Sequence, residues 1–429
     1  MRNMKTILPG ILVAVFMGLL FLQHTDALNA ETSSIFPELQ KFTDCLDLIE
    51  KYYVDEVQPS SLIEGAIKGM TSTLDPHSAY LSKEDYKEMQ ISTSGSFGGL
   101  GIELGLRDGQ LTVITPIEGT PAFKAGILPG DRILKIDSTP TLDMTLEEAV
   151  KLLRGPKGTK VTLTLGRENA EKPIEVTITR AIIHIQSVIS QTLEPGYGYI
   201  KIRNFQVDTS EAVRKVMQGM LKSGPLRGLV LDLRYNPGGL LDQAIAVSDL
   251  FLSEGKIVYT DGRKAEDRVE YTARKEGSFD GFPIVVLING GTASAAEIVS
   301  GALQDNNRAV IVGVRSFGKA SVQTIRPLSD GSALKLTIAR YYTPSGRSIQ
   351  AKGIEPDVLV EQQVTSQDGA QQFIREKDLK SHLSPKREEP ADPGEATSGP
   401  VNLERDYQLK YGLDLLKTWE VFHRVKKAA

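Results

Sequence analysis

The chain has 429 residues, with 54 acidic against 50 basic side chains and a formal net charge of -4. That balance provides no basic field to recruit nucleic acid, so no nucleic-acid partner is expected. A hydrophobic share of 40% and a charged share of 24% are ordinary for soluble globular protein, in a chain long enough for two or three domains.

Arg2 and Lys5 precede an apolar run from Ile7 to Leu22, shorter than the roughly 20 residues that span a membrane comfortably. A charged start before such a run reads as a Sec-type export signal, and residues 1–30 are set apart on that ground. Two readings stand: a cleaved signal and a retained membrane anchor. Either one places the rest of the chain outside the cytoplasm. Cys45 is the only cysteine, so no intramolecular disulfide can form. It is expected as a small buried residue on a helix.

Residues 31–92 read as a helical N-terminal region. Phe36, Leu39, Phe42, Leu46, Ile49 and Tyr53 recur at helical spacing. A second helix is expected from Ser60 or Ser61, either of which could cap it, and it ends before the turn Leu74-Asp75-Pro76-His77-Ser78. Residues 93–181 change texture to short β-runs and glycines, with a capping box at Thr145-Leu146-Glu147-Glu148. Residues 182–362 alternate strands and helices and imply an α/β core. Within it, apolar runs at Gly228–Arg234, Pro283–Asn289 and Ala309–Gly313 read as buried strands. Apolar content then collapses, and 363–402 has the composition of a disordered linker. Residues 403–429 regain helical periodicity through Leu409, Leu413, Leu416 and Val421.

Metal chemistry is not expected. The five histidines (His24, His77, His184, His382 and His423) are scattered, with no His-Glu-x-x-His spacing and no cysteine pair. No cofactor is expected either. Scarce histidine also weakens a Ser–His–Asp triad, and His77 and His184 read as structural.

Ser294 lies where a buried strand turns through Gly290-Gly291 into a helix. Backbone N–H groups at a helix N-terminus favour developing negative charge, which suits a nucleophile. The same place suits a plain N-cap serine, and both readings stand on position alone. Lys319 follows the third core strand. A lysine activates serine only as the free amine, and at a pKa of about 10.4 only about one in a thousand is neutral near pH 7.4. Desolvation in an apolar pocket lowers that pKa by several units, and Phe317 with the surrounding core could supply the pocket.

Taken together, these segments resemble the carboxyl-terminal processing proteases. Gly291-Thr292-Ala293-Ser294-Ala295-Ala296-Glu297-Ile298 and Phe317-Gly318-Lys319-Ala320-Ser321-Val322-Gln323 are similar to that family's two signature stretches. Leu231–Gly239 is similar to its oxyanion loop, and Leu74–Ser78 and Tyr341–Gly346 match it in order. Ala296 and Ala320 depart from serine and glycine in many members, at positions that are not catalytic. The resemblance implies an α/β fold: a Clp protease/crotonase-like core, an inserted β-rich PDZ domain, and helical N- and C-terminal regions. It implies a serine endopeptidase with Ser294 as nucleophile, Lys319 as general base and Gln323 orienting the lysine. The amide of Ala295 and one from Gly238 or Gly239 would form the oxyanion hole.

Gly98-Gly99-Leu100-Gly101-Ile102 is similar to the carboxylate-binding loop of a PDZ domain, which implies protein substrates with apolar C-termini. Arg154, at the end of the following helix, is a candidate reporter of PDZ position to the core. Further expectations are a periplasmic location, inner-membrane association, an adaptor protein and a homo-oligomer.

Overall fold

The computed structural model describes residues 35–168, 170–362, 375–379, 382–383 and 406–428. The export segment expected over 1–30 lies outside the described residues. Chain contacts divide the protein into two units, residues 1–73 and residues 74–429.

In the first unit, helices α1 (Phe36–Tyr52) and α2 (Pro59–Ser72) form where the periodicity places them. Two expectations fail here. The second helix starts on Pro59 with Gln58 at its N-cap, because proline at the first helical position is already set to helical φ. Cys45 does sit on α1, but exposed, since that helix buries none of its residues.

The second unit opens with β1 (Ala79–Leu81) and α3 (Lys83–Ser94), the latter capped by a reciprocal Ser82–Asp85 box. Strand β2 (Ser96–Gly99) then pairs antiparallel with β9 (Ala181–His184), so one two-stranded ribbon carries the chain into and out of the inserted domain. Between them lie β3 (Ile102–Arg107), β4 (Gln110–Pro116), α4 (Pro121–Lys124), β5 (Arg132–Ile136), β6 (Thr139–Pro140), α5 (Leu146–Leu153), β7 (Lys160–Gly166) and β8 (Ile174–Thr179). The strands form one antiparallel sheet in the order β3-β4-β5-β7-β8, with β6 on β5. β7 shows the period-2 burial of a one-sided sheet, with Val161, Leu163 and Leu165 inward. The core of this domain is aliphatic, built on Leu111, Val113, Ile133, Ile136 and those three residues.

The α/β core holds β10 (Val188–Glu194), β11 (Tyr197–Ile202), α6 (Thr209–Lys222), β12 (Gly228–Asp232), α7 (Leu241–Asp249), β13 (Lys256–Asp261) and β14 (Val269–Thr272). It continues through β15 (Ile284–Ile288), α8 (Ala295–Asp305), β16 (Ala309–Gly313), β17 (Ser321–Pro327), β18 (Ala333–Tyr342) and β19 (Val358–Leu359), and ends with α9 (Tyr407–Ala428). One sheet runs β10-β11-β12-β15-β16-β19, parallel from β11 onward. Its central strands are buried throughout because both faces are covered, which is why they read as unbroken apolar runs. One face, with Leu229, Leu231, Val286 and Ile288, packs in the cluster that includes residues of α6, α7 and α8. The opposite face, with Tyr199, Val230, Val285 and Leu287, is covered by Leu409, Leu413 and Leu416 of α9. Gly412 makes that seating possible, since a Cβ there would lie 3.2 Å from Val285. A second sheet, β1-β18-β13-β14 with β17 on β18, stands beside the first.

The stretch expected to be a disordered linker departs from expectation at Arg375–Leu379. Glu376 in that short turn is fully buried, donating its N–H to Phe317 O and accepting from Gln350 Nε2 at 2.9 Å.

Candidate active site

Strand β15 ends at Ile288, and the chain turns through residues 289–293 into α8. Thr292 pins the turn by accepting the Asn289 N–H at 2.9 Å and donating to Leu233 O at 2.8 Å. Ser294, the N-cap of α8, has φ +54 and ψ -117, in backbone space that side-chain-bearing residues rarely adopt. Such a conformation costs about 1–3 kcal/mol and persists only where the surroundings enforce it. Here it leaves Ser294 half-buried on the rim of a cleft of about 330 Å³. The cleft is also lined by Ala295, Gly238, Gly239, Gln323, Lys335 and Tyr341.

The loop expected to supply the oxyanion hole follows β12. Tyr235, itself at φ +59, donates its N–H to Asn289 Oδ1, and Ala293 N–H donates to Asn236 O. The loop and the serine turn are thus tied to each other. Gly238 lies directly against Ser294, where a Cβ would approach Ser294 Cβ to 2.7 Å. Its own N–H donates to Asn236 Oδ1 at 2.8 Å, so Gly238 has no amide left for an oxyanion. The amides of Gly239 and Ala295 donate to no group among the described residues. Of the two glycines left open by sequence, Gly239 is the available donor.

Lys319 lies in the loop between β16 and β17, and Glu297 ties that loop to the serine. Fully buried in the first turn of α8, its carboxylate accepts the Ser294 N–H at 2.8 Å and the Ser316 hydroxyl at 2.5 Å. It also accepts the N–H groups of Gly318 at 2.8 Å and Lys319 at 2.9 Å. Burial pushes Glu297 up to about 7 against these four donors, which favour the ionised form. The buried Tyr341 hydroxyl shares its one hydrogen between Ser294 O, at 3.1 Å, and Lys319 O, a second bridge between the two segments.

The Lys319 ammonium is held below the ordinary lysine range, first by burial and next by the nearby Lys335 charge, with Glu376, Glu297 and Asp75 opposing. Lys319 Nζ and Ser294 Oγ make no hydrogen bond with each other among the described residues. Gln323 does not reach the lysine: its Nε2 donates to Ser321 Oγ at 2.9 Å and Thr337 Oγ1 at 3.3 Å. Thr337 donates in turn to Asp75, which also holds Ser78 and the His77 N–H. The His77 ring meets the Glu376 carboxylate at 2.6 Å. The Leu74–Ser78 turn therefore braces the lysine side of the site, and the structural reading of His77 fits this place.

In the inserted domain β3 is an edge strand, with α5 packed beside it. The preceding loop leaves the amides of Leu100 and Gly101 without an acceptor among the described residues; Gly101 has φ +80, and a Cβ there would also strike Thr120. Arg154 caps α5, pairs with Glu88 of α3 at 2.5 Å and lies over the Phe97 ring at 4.7 Å. The next residue of α3, Met89, lines the cleft that holds Ser294.

The chain matches the description "Peptidase family S41" over residues 196–360, a PDZ domain over 112–167 and "Activating protease CtpB N-terminal domain" over 20–85. The carboxy-terminal-processing protease of Bartonella bacilliformis is 46% identical over 386 residues, covering 89% of each chain. The chain belongs to the carboxy-terminal-processing protease family. A second member, carboxy-terminal processing protease CtpA of Bacillus subtilis, is 38% identical over 76% of this chain and 69% of its own. Among solved structures, the photosystem II D1 C-terminal processing protease is 31% identical at a TM-score of 0.44, over 75% of this chain and 92% of that one. The protein is therefore a serine peptidase with a PDZ domain and the expected α/β fold.

Sequence reasoning missed several residues of this family member's site: Glu297, Tyr341, Lys335 and Glu376. Glu297 was within reach, since an acid three residues into a helix is a capping signal. The other three come from distant segments, and only the fold brings them together.

Proposed function

We propose that this carboxy-terminal-processing protease cleaves proteins recognised by their C-terminal tails through a Ser294–Lys319 acyl-enzyme mechanism. Ser294 Oγ attacks the scissile carbonyl as the free Lys319 amine takes its proton, and the lysine then returns that proton to the leaving amine. The tetrahedral oxyanion is received by the amides of Ala295 and Gly239. Water then attacks the acyl-enzyme as Lys319 again accepts a proton, and the acyl C–Oγ bond breaks with the lysine returning that proton to Ser294 Oγ. The observation that carries this reading is the strained Ser294 backbone beside two unpartnered amides, tethered through Glu297 to a lysine of lowered pKa.

The open edge of β3 and the free Leu100 and Gly101 amides fit a peptide added as a strand, its carboxylate in the loop Gly98–Ile102 and its apolar last residue toward α5. Because Ser294 and Lys319 are not hydrogen-bonded here, tail binding is assigned a gating role as well as a docking one. Arg154 is placed to report it through Glu88 and α3. The charged start and apolar run of residues 1–30 support export to the periplasm, with or without a retained anchor. The test is hydrolysis of unfolded casein by the wild type, Ser294→Ala and Lys319→Ala, with circular dichroism to confirm folding. Turnover in either variant above a few per cent of wild type would overturn the dyad.

A further inference from the structure

The C-terminal helix reaches the oxyanion loop through one fully engaged guanidinium. Arg234 stands at the end of β12, immediately before Tyr235 opens the loop that carries Gly239, and it is only 5% exposed. Its five N–H groups all have acceptors. Nε and one Nη2 hydrogen bond go to the two oxygens of Asp232, at 2.9 and 2.6 Å. Nη2 also donates to Asp406 at 2.6 Å, while Nη1 donates to Asp406 at 2.8 Å and to Gln408 Oε1 at 3.1 Å. Asp232 is itself fully buried, accepting from Tyr199 and from the Arg234 N–H. Gln408 is anchored by donating to Val360 O at 2.7 Å.

Asp232 alone would fix one side of a planar guanidinium. The second bidentate partner, supplied by the residue preceding α9, removes the remaining rotational freedom. A side chain held on both sides fixes the backbone it leaves, and that backbone leads directly into the first residue of the oxyanion loop, Tyr235. The geometry points to Asp406 as a positioning residue for the oxyanion loop, acting through Arg234, with α9 as the element that delivers it.

This inference rests on the reading of Gly239 and Ala295 as oxyanion donors. A displaced amide donor weakens binding of the tetrahedral species more than binding of the substrate, so the loss falls on kcat. In the full-length protein, Asp406→Asn is expected to lower kcat on a short peptide about tenfold with KM within about twofold. Affinity for a peptide boronate, which forms a tetrahedral adduct on serine, falls by a similar factor. Asp406→Glu restores most of both. Gln408→Met, which keeps both charges, loses about threefold and serves if Asp406→Asn fails to fold. Leu413→Ala loosens the same helix without touching Arg234; it lowers Tm and leaves boronate affinity unchanged. The inference is overturned if Asp406→Asn retains wild-type kcat, or if Leu413→Ala loses boronate affinity to the same extent. It is also overturned if Asp406→Glu rescues nothing. Ser294→Ala separates the two levels. Its inactivity beside an unaffected Asp406→Asn would leave the Ser–Lys reading standing and remove only the role of Asp406. Turnover by Ser294→Ala would remove both.

Discussion

The PDZ domain and the protease core solve opposite problems with their buried polar groups. The PDZ core is aliphatic, with Asp131 as its one fully buried carboxylate among the described residues, paired to a partly exposed Arg167 at 2.7 Å. The recognition surface proposed for it consists of an open strand edge and backbone amides, which carry no net charge. The protease core buries Asp232, Arg234, Glu297 and Glu376, all within the segments that frame Ser294 and Lys319. Buried charges are costly unless fully partnered, and replacing such groups by apolar ones is often neutral or stabilising. Their placement around the cleft teaches that the core trades stability for fixed geometry, whereas the PDZ domain binds through elements that any well-packed β-sheet provides.

The largest break in that comparison is removal of the reacting groups. Ser294→Ala and Lys319→Met should each lower kcat by at least about a thousandfold. Lys319→Met should do so without lowering Tm. A lysine whose pKa falls on folding binds fewer protons in the folded state, so its contribution rises with pH and is unfavourable at neutral pH. A Tm below wild type near pH 7 would show that Lys319 is there for packing.

Glu297→Gln comes next, at about ten- to a hundredfold in kcat, because one neutral amide cannot accept all four donors. Its pH dependence sharpens the case. A carboxyl raised to about 7 on folding stabilises the protein fully below its unfolded value, and that contribution is lost as pH rises through about 7. Activity runs the other way, since the ionised form makes the tether. From about pH 5 to 8 the Tm difference between wild type and Glu297→Gln should shrink while the kcat ratio grows. Differences that move together would refute the assignment.

On the PDZ side, Gly101→Val places a branched side chain at φ +80 against Thr120. KM for a tailed substrate should rise about tenfold, with kcat on a tail-less peptide unchanged in the absence of any tail ligand. A fall in that kcat would mean that the loop shapes the catalytic site directly. The smallest effect is expected from Lys335→Met. Removing the neighbouring cation should move the rising limb of kcat/KM to higher pH by less than about one unit. A shift to lower pH would contradict the electrostatic role.

The contrast also explains what was legible beforehand. The fully buried strands Gly228–Asp232 and Ile284–Ile288, the Thr145 capping box and the glycine loop are local patterns, and local patterns can be read from one chain. Ser294 was legible as a place and Lys319 through family resemblance. The Gly238–Asn236 hydrogen bond and the turn of Gln323 toward Ser321 depend on side-chain choices that spacing does not encode. Glu376 and Asp406 lie far along the chain from the loops they brace. A stretch of linker composition concealed the first, and the second preceded an amphipathic helix whose sequence gave no reason to look beyond packing.

The central claim is that neutral Lys319 activates Ser294. Its most direct test is the rate at which an activated peptide ester acylates Ser294, followed by mass spectrometry of the Ser294 peptide across pH. The account predicts a wild-type rate that rises through a pKa below the ordinary lysine value. It predicts no adduct in Lys319→Arg at any workable pH, because guanidinium stays protonated. Acylation of Lys319→Arg at a rate near wild type would contradict it.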